Sequence, residues 1–320
     1  MEPSRQVVGK SLLLVASVGM ALAVAEVALR ISGFVFTLAP AVQFGWPDPV
    51  TLERTYRSDP QLLWVPRDYP GRLRQAQNTP PSVVFMGDSC TEFGHYPKWT
   101  MELLAEDETA PGPGLNVGVG GWTSEQGRRQ MLRDIVRLQP RVATIYYGWN
   151  DHWVALGPED SELPLSGPMG WLESRLRLAQ VLLKARLGAF GPRGSRPNRV
   201  PLDRYVENLR AMVRTAEEAG IRPILITAPT NHVRGREPEY LLERHLRTLD
   251  ELVPMHEAYQ NATRRVAREE GADLCDAAAE FADDPLLDDY FSADGIHLSE
   301  SGNRRLAEIV SDCIRQAEAW

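Results

Sequence analysis

From residue 82 onward, short apolar runs alternate with longer amphipathic stretches, and this alternation predicts a largely parallel sheet covered by helices. The runs "SVVFMG" (82–87), "LNVGVGG" (115–121), "RVATIYYG" (141–148) and "IRPILITAP" (221–229) read as strands, and "ADLCDAA" (272–278) as a last short one. Between the second and third runs, "SEQGRRQMLRDIVRLQ" places Met131, Leu132, Ile135 and Leu138 at helical spacing behind a capping serine, Ser124. "DRYVENLRAMVRTAEEAG" repeats the device: Asp203 starts it, Tyr205, Leu209, Met212 and Val213 line one face, and Gly220 stops it. A helical region over 239–270 and a closing helix from Leu298 complete the series. The expected fold class is α/β, three layers with a mainly parallel sheet between helices.

Three segments break this rhythm. Ser11 to Ala25 carries no charge and lacks the polar stripe of a core helix apart from Ser11 and Ser17, while Arg5 and Lys10 precede it and Glu26 and Arg30 follow. A membrane span needs about 20 mostly apolar residues, so an uncleaved anchor, a cleaved signal peptide and a soluble helix all stay open for residues 1–31. Basic residues ahead of the segment predict export of the rest, on a bacterial periplasmic or extracellular side. Residues 32–80, rich in Pro and aromatics, read as a connector. An insertion at 156–201 joins a greasy face (Trp171, Leu172, Leu176, Leu183, Leu187) to Arg175, Arg177, Lys184 and Arg186, with Arg193, Arg196 and Arg199 beyond. A lid, an element resting near anionic lipid and an ordinary peripheral helix all fit that pattern.

Composition narrows the function classes. Over 320 residues the formal charge is -8 with acids and bases mixed, which gives no support for nucleic-acid binding. Cys90, Cys275 and Cys313 are too far apart for a CxxC pair or a compact metal set, and their odd number excludes full intrachain pairing. One disulfide is compatible with an oxidising compartment without being implied.

Candidate chemistry falls on four islands that the strand pattern puts at carboxyl strand ends, where ligands bind in such sheets. Ser89 follows the first strand through a tight turn and opens the next helix, where a free N–H and the positive helix end meet developing negative charge, although a mere capping serine takes the same place. In "NVGVGGWTSEQG", Gly118, Gly120 and Gly121 let the backbone approach a ligand; the spacing is a poor dinucleotide fingerprint. Asn150 in "YYGWNDHW" can aim an amide NH2 at an oxyanion or close an Asx turn. Asp294 and His297, three apart, have the spacing for a carboxylate that orients a histidine base. Asp88 and Asp151 read as loop braces, and His152 as the best of His95, His152 and His232 for touching substrate.

"GDSCT" (87–91), "NVGVGG" (116–121), "GWND" (148–151) and "DGIHLSESGN" (294–303) resemble, in order, the four characteristic blocks of the SGNH, or GDSL-type, hydrolase superfamily. The resemblance covers about residues 82–316 and implies a flavodoxin-like arrangement in an SGNH hydrolase domain at 81–320. It implies Ser89 as nucleophile, Asp294 and His297 as its carboxylate and base, and Ser89, Gly121 and Asn150 as the oxyanion hole. Gly120 competes for the glycine role because the doublet leaves the register open. Cys90 stands where the family often has Leu. No metal or organic cofactor is implied. The expected reaction is hydrolysis of O-acyl substrates through an acyl-enzyme, on an acylated small molecule, lipid or polysaccharide, O-acetyl carbohydrate included. An envelope polysaccharide O-acyltransferase and a non-catalytic polysaccharide-binding protein are the alternatives. The sequence leaves the oligomeric state open.

Overall fold

The computed structural model describes residues 5–36, 54–106, 112–155, 158–163, 175–189, 196–243 and 245–317. Helix α1 (Arg5–Ile31) is followed by an antiparallel hairpin, β1 (Tyr56–Asp59) and β2 (Leu63–Pro66), and by α2 (Tyr69–Asn78). The body then runs β3 (Val83–Gly87), α3 (Ser89–Glu92), α4 (Tyr96–Ala105), β4 (Gly114–Asn116), α5 (Ser124–Gln130) and β5 (Val142–Tyr146). It continues with α6 (Arg177–Gly188), α7 (Leu202–Glu218), β6 (Arg222–Ile226), α8 (Leu252–Glu270), β7 (Asp273–Cys275), α9 (Ala277–Ala282) and α10 (Glu300–Gln316). The five body strands pair in parallel in the order β4-β3-β5-β6-β7. This is the flavodoxin-like order, with helices on both faces.

Side-chain alternation along each strand divides the interior into two cores. Val84, Met86, Ala143, Ile145 and Leu225 pack against α5, α7 and α8, whose Leu209, Met212, Val213, Tyr259 and Val266 fill that side. Val83, Phe85, Val142, Ile224 and Ile226 face the other way, toward Tyr96 and Leu104 of α4 and Leu306, Val310 and Ile314 of α10. Strands buried on both faces must be apolar at successive positions, which is why their sequences read as runs rather than alternations. Each such buried side chain contributes about 1.5–3 kcal/mol relative to exposure.

Several element ends differ from expectation. The strand expected over 115–121 stops at Asn116, whose side-chain oxygen accepts the Gly118 N–H (2.9 Å) and turns the chain out of the ladder. The following loop is still pinned to β3 by Val117 N–H to the Phe85 carbonyl (2.9 Å) and Val119 N–H to the Gly87 carbonyl (3.0 Å). Helix α5 is capped by Thr123, not Ser124: Thr123 forms a reciprocal capping box with Gln126. Beyond Gln130 it continues through a π turn (Met131–Ile135). Pro201, not Asp203, precedes α7. Two 3-10 turns, Glu239–Glu243 and Leu249–Glu251, take up the first part of the region expected to be helical over 239–270.

The N-terminal helix is long and apolar enough to cross a membrane over Gly9–Ile31, and that stretch is exposed. It fits an anchor or a signal sequence equally by length and composition. Its far end is joined to α6. Glu26 accepts the backbone N–H groups of Arg177 (3.1 Å) and Leu178 (3.0 Å), satisfying otherwise orphaned donors at the start of α6, and Arg30 donates to the Arg175 carbonyl (2.6 Å). Trp171, Leu172 and Arg193 of the insertion lie outside the described residues.

Cys275 on β7 and Cys313 on α10 form a disulfide across 38 positions, with Cα atoms 5.7 Å apart. Cross-links of such loops typically contribute about 2–4 kcal/mol. Urea unfolding of a Cys313→Ser variant is therefore expected to show a midpoint lowered by a comparable stability loss; an unchanged midpoint would deny the bridge a structural role.

Candidate active site

Parallel pairing brings the loops after β3, β4 and β5 to one sheet edge, and β3 sits where connections diverge to either side, the usual place for a ligand crevice. The turn after β3 is tight. A Cβ on Gly87 would lie 2.1 Å from Thr91 Oγ1 and 2.8 Å from the Tyr146 carbonyl, so only glycine fits there. Asp88 then accepts the Cys90 N–H (2.9 Å) and caps the short helix that begins at Ser89. Ser89 is 7% exposed.

His297 arrives from the loop before α10, 208 positions away, with Nε2 2.8 Å from Ser89 Oγ. Its Nδ1 lies 2.6 Å from Asp294 Oδ2. A carboxylate can only accept, which puts the ring proton on Nδ1 and leaves Nε2 to take a proton from the serine. Asp294 Oδ1 accepts the backbone N–H groups of Ile296 and His297, each at 2.9 Å. The Asp294 carbonyl is held by the hydroxyl of Tyr240 (3.2 Å) and by His232 Nε2 (2.9 Å). Burial raises the Asp294 pKa, but hydrogen bonds and charge from His297 and the two N–H groups outweigh it, and the carboxyl stays below its ordinary value. For His297 burial opposes protonation, yet the Asp294 hydrogen bond and charge, with Asp88, hold the ring above the ordinary histidine value.

The glycine doublet separates by use. Gly120 N–H donates to Glu92 Oε2, so it is occupied, whereas Gly121 sits at φ 76° with no recorded hydrogen bond to its N–H among the described residues. Asn150 reaches the same edge, and its Nδ2 donates to Asp88 Oδ2 (3.1 Å) and to the Trp122 carbonyl (3.0 Å). Donation to a third acceptor requires one of those bonds to lengthen or be shared. Asp88 is fully enclosed; burial pushes its pKa up to about 6 despite the Cys90 N–H, the His297 charge and the Asn150 amide.

Other candidates are held away from this chemistry. Cys90 is buried beside the site, and burial, with the charges of Asp88 and Asp294, pushes its thiol well above the usual value, away from the reactive thiolate. His95 is exposed and packs beside Trp99 with the rings tilted, centroids 5.4 Å apart. His152 does not touch an open cleft: it is buried between Trp149 and Trp153 with Nε2 3.2 Å from His256 Nδ1. Asp151 braces α5 by accepting the Ser124 N–H (2.9 Å). Glu92 and Trp64 hydrogen-bond to Gly120 in the glycine loop and Tyr56 donates to Glu92, and neither periodicity nor motif spacing singled these three out. Among the described residues no three His, Cys, Asp or Glu side chains form a group able to hold a metal.

With this geometry in place, comparison with known proteins is decisive at the family level: residues 85–305 match the GDSL-like Lipase/Acylhydrolase family. The chain belongs to that family, within the SGNH hydrolase superfamily. Membership carries a general ester-hydrolase activity of the serine-hydrolase type. Curated relatives include the mouse (Mus musculus) isoamyl acetate-hydrolyzing esterase 1 homolog, 28% identical over 234 residues that cover 71% of this chain and 78% of the relative. The uncharacterized lipoprotein YqeF of Bacillus subtilis is 24% identical over 252 residues, covering 72% and 88%. Among solved structures, the lipase/acylhydrolase from Enterococcus faecalis superposes with a TM-score of 0.49 at 16% identity, covering 73% of this chain and 95% of that one.

The linked pair generates a pH prediction. A histidine base must be neutral to act, so kcat/KM for an ester is expected to rise with pH through a pKa above the ordinary histidine value. In Asp294→Asn the acid limb is expected to move down as turnover falls, because the charge that raises the ring is gone. A limb that stays put in both proteins would disconnect Asp294 from the titrating group.

Proposed function

We propose that this chain is a serine-dependent ester hydrolase that works through an acyl-enzyme. The observation that carries the reading is the hydrogen-bonded series Ser89–His297–Asp294, at 2.8 and 2.6 Å. His297 takes the Ser89 proton as Oγ attacks the ester carbonyl; the N–H groups of Ser89 and Gly121 and the amide of Asn150 receive the oxyanion. His297 then protonates the leaving alcohol, and water repeats the cycle to release the acid, with Asp294 ionised throughout. A short acyl group on a small ester or a carbohydrate, or a lipid ester, is the proposed substrate class. The mouse relative's name, which specifies hydrolysis of isoamyl acetate, supports the short-chain end of that range.

We further propose that residues 1–31 are an uncleaved anchor holding an exported hydrolase domain (81–320), with 32–80 connecting them and 156–201 inserted. The Glu26 contacts with α6 support retention, because cleavage would strip two backbone donors of their acceptor. Acyl transfer to a polysaccharide hydroxyl is the second reading. It differs from hydrolysis only in whether water or a sugar hydroxyl reaches the acyl-enzyme.

The test is a panel of short- and long-chain nitrophenyl esters, acetylated sugars and lysophospholipids, assayed with and without a polysaccharide acceptor, on wild type and Ser89→Ala. Turnover lost in Ser89→Ala, together with loss of labelling by a serine-reactive phosphonate, is expected; persistent labelling at another residue would refute the nucleophile. Acetyl released as free acid supports hydrolysis, and acetyl recovered on the acceptor supports transfer. Asn150→Ala is expected to lower turnover on the order of 100-fold, and a near-normal rate would remove it from the oxyanion hole.

A further inference from the structure

The carboxylate of Glu92 joins three parts of the chain that are distant in sequence. It lies three residues past Ser89, at the end of α3, and its Oε2 accepts both the backbone N–H of Gly120 and the hydroxyl of Tyr56 on β1 (2.8 Å). The other end of the same residue is held from β2: Trp64 Nε1–H donates to the Gly120 carbonyl (3.2 Å), and Trp122 Nε1–H donates back to the Trp64 carbonyl (3.0 Å). Tyr56 and Trp64 are 4% and 3% exposed; the two Trp64 bonds are buried away from competing water, and the two to Glu92 are partly buried.

The consequence follows from peptide geometry. The Gly120 carbonyl and the Gly121 N–H belong to one planar trans unit and point in opposite directions, so fixing the first fixes the second. A Gly–Gly link with one residue at positive φ has little intrinsic preference among backbone orientations and needs an external hold. We propose that Glu92, Tyr56 and Trp64 are positioning residues that lock the Gly120–Gly121 peptide so that Gly121 N–H, and not Gly120 N–H, serves the oxyanion. This rests on the serine-hydrolase reading above and extends it to the N-terminal hairpin, which lies outside the family-matched residues 85–305. Burial lifts the Glu92 pKa above its ordinary value, and the Gly120 N–H and the Tyr56 hydroxyl offset part of that lift, so removing either partner leaves a less favourable buried acid.

The experiment uses the full chain in detergent with nitrophenyl acetate as substrate and a nitrophenyl phosphonate as an oxyanion-forming inactivator. In Trp64→Phe, which keeps apolar bulk and deletes the donor, and in Glu92→Ala, kcat is expected to fall about 10- to 100-fold. KM should change less than about threefold, and phosphonate inactivation should slow in parallel with kcat, as expected when only transition-state stabilisation is lost. Glu92→Gln, which keeps an acceptor for Gly120 N–H, is expected to restore kcat to within about threefold of wild type. A kcat within about twofold of wild type in folded Trp64→Phe would overturn the inference, as would a loss confined to KM or a Glu92→Gln as poor as Glu92→Ala. If Glu92→Ala does not fold, Trp64→Phe decides alone. A wild type that the phosphonate does not label would instead refute the serine-hydrolase reading itself.

Discussion

β3 pairs in parallel with β4 on one side and β5 on the other, and the registers Phe85 to Asn116 and Gly87 to Tyr146 make the three strands end on one edge. Three of the four loops at the site follow from that alignment. The turn to Ser89, the glycine loop after Asn116 and the loop carrying Asn150 emerge side by side because their strands are hydrogen-bonded neighbours. The two cores hold the alignment rigid, since Val83, Val84, Phe85 and Met86 are anchored alternately to opposite helical layers. Only the histidine loop comes from elsewhere, and α10, packed on α4 across the second core, brings it over Ser89.

Burial gives each carboxylate at this edge a different task. Asp294 has two backbone N–H donors and a histidine, enough to keep it charged against desolvation. Asp88, fully enclosed, uses one oxygen on the helix that presents Ser89 and the other on Asn150, tying the Ser89 turn to the asparagine loop. Glu92 ties that same turn to the glycine loop. Ser89 is thus cross-braced to both neighbouring loops by acids near it in sequence, and the histidine loop reaches it independently.

The N-terminal segments are more than a lead-in to the body. The hairpin β1–β2 buries Leu62, Trp64 and Val65 in the first core and supplies hydrogen bonds to the glycine loop. Further out, Glu26 serves as acceptor for the start of α6, so the apolar helix and α6 are joined by charge-assisted hydrogen bonds.

Much of this was written locally. Apolar runs over 82–87 and 141–148 identified strands buried on both faces, amphipathic spacing identified α7 and the helical stretch over 124–138, and the four motif blocks singled out Ser89, the Gly120–Gly121 doublet, Asn150, Asp294 and His297. Local periodicity reads well because it reflects which face of one element is buried. Tertiary structure decided what depends on partners far along the chain. It distinguished Gly120 from Gly121 through a carboxylate 28 positions away and set His152 among buried rings rather than at substrate. It paired Cys275 with Cys313, and it brought Trp64, which belongs to no motif, onto the glycine loop from 56 positions away. Hydrogen bonds and close packing are short-ranged in space and indifferent to sequence distance, so such pairings exist only once the sheet has placed both partners.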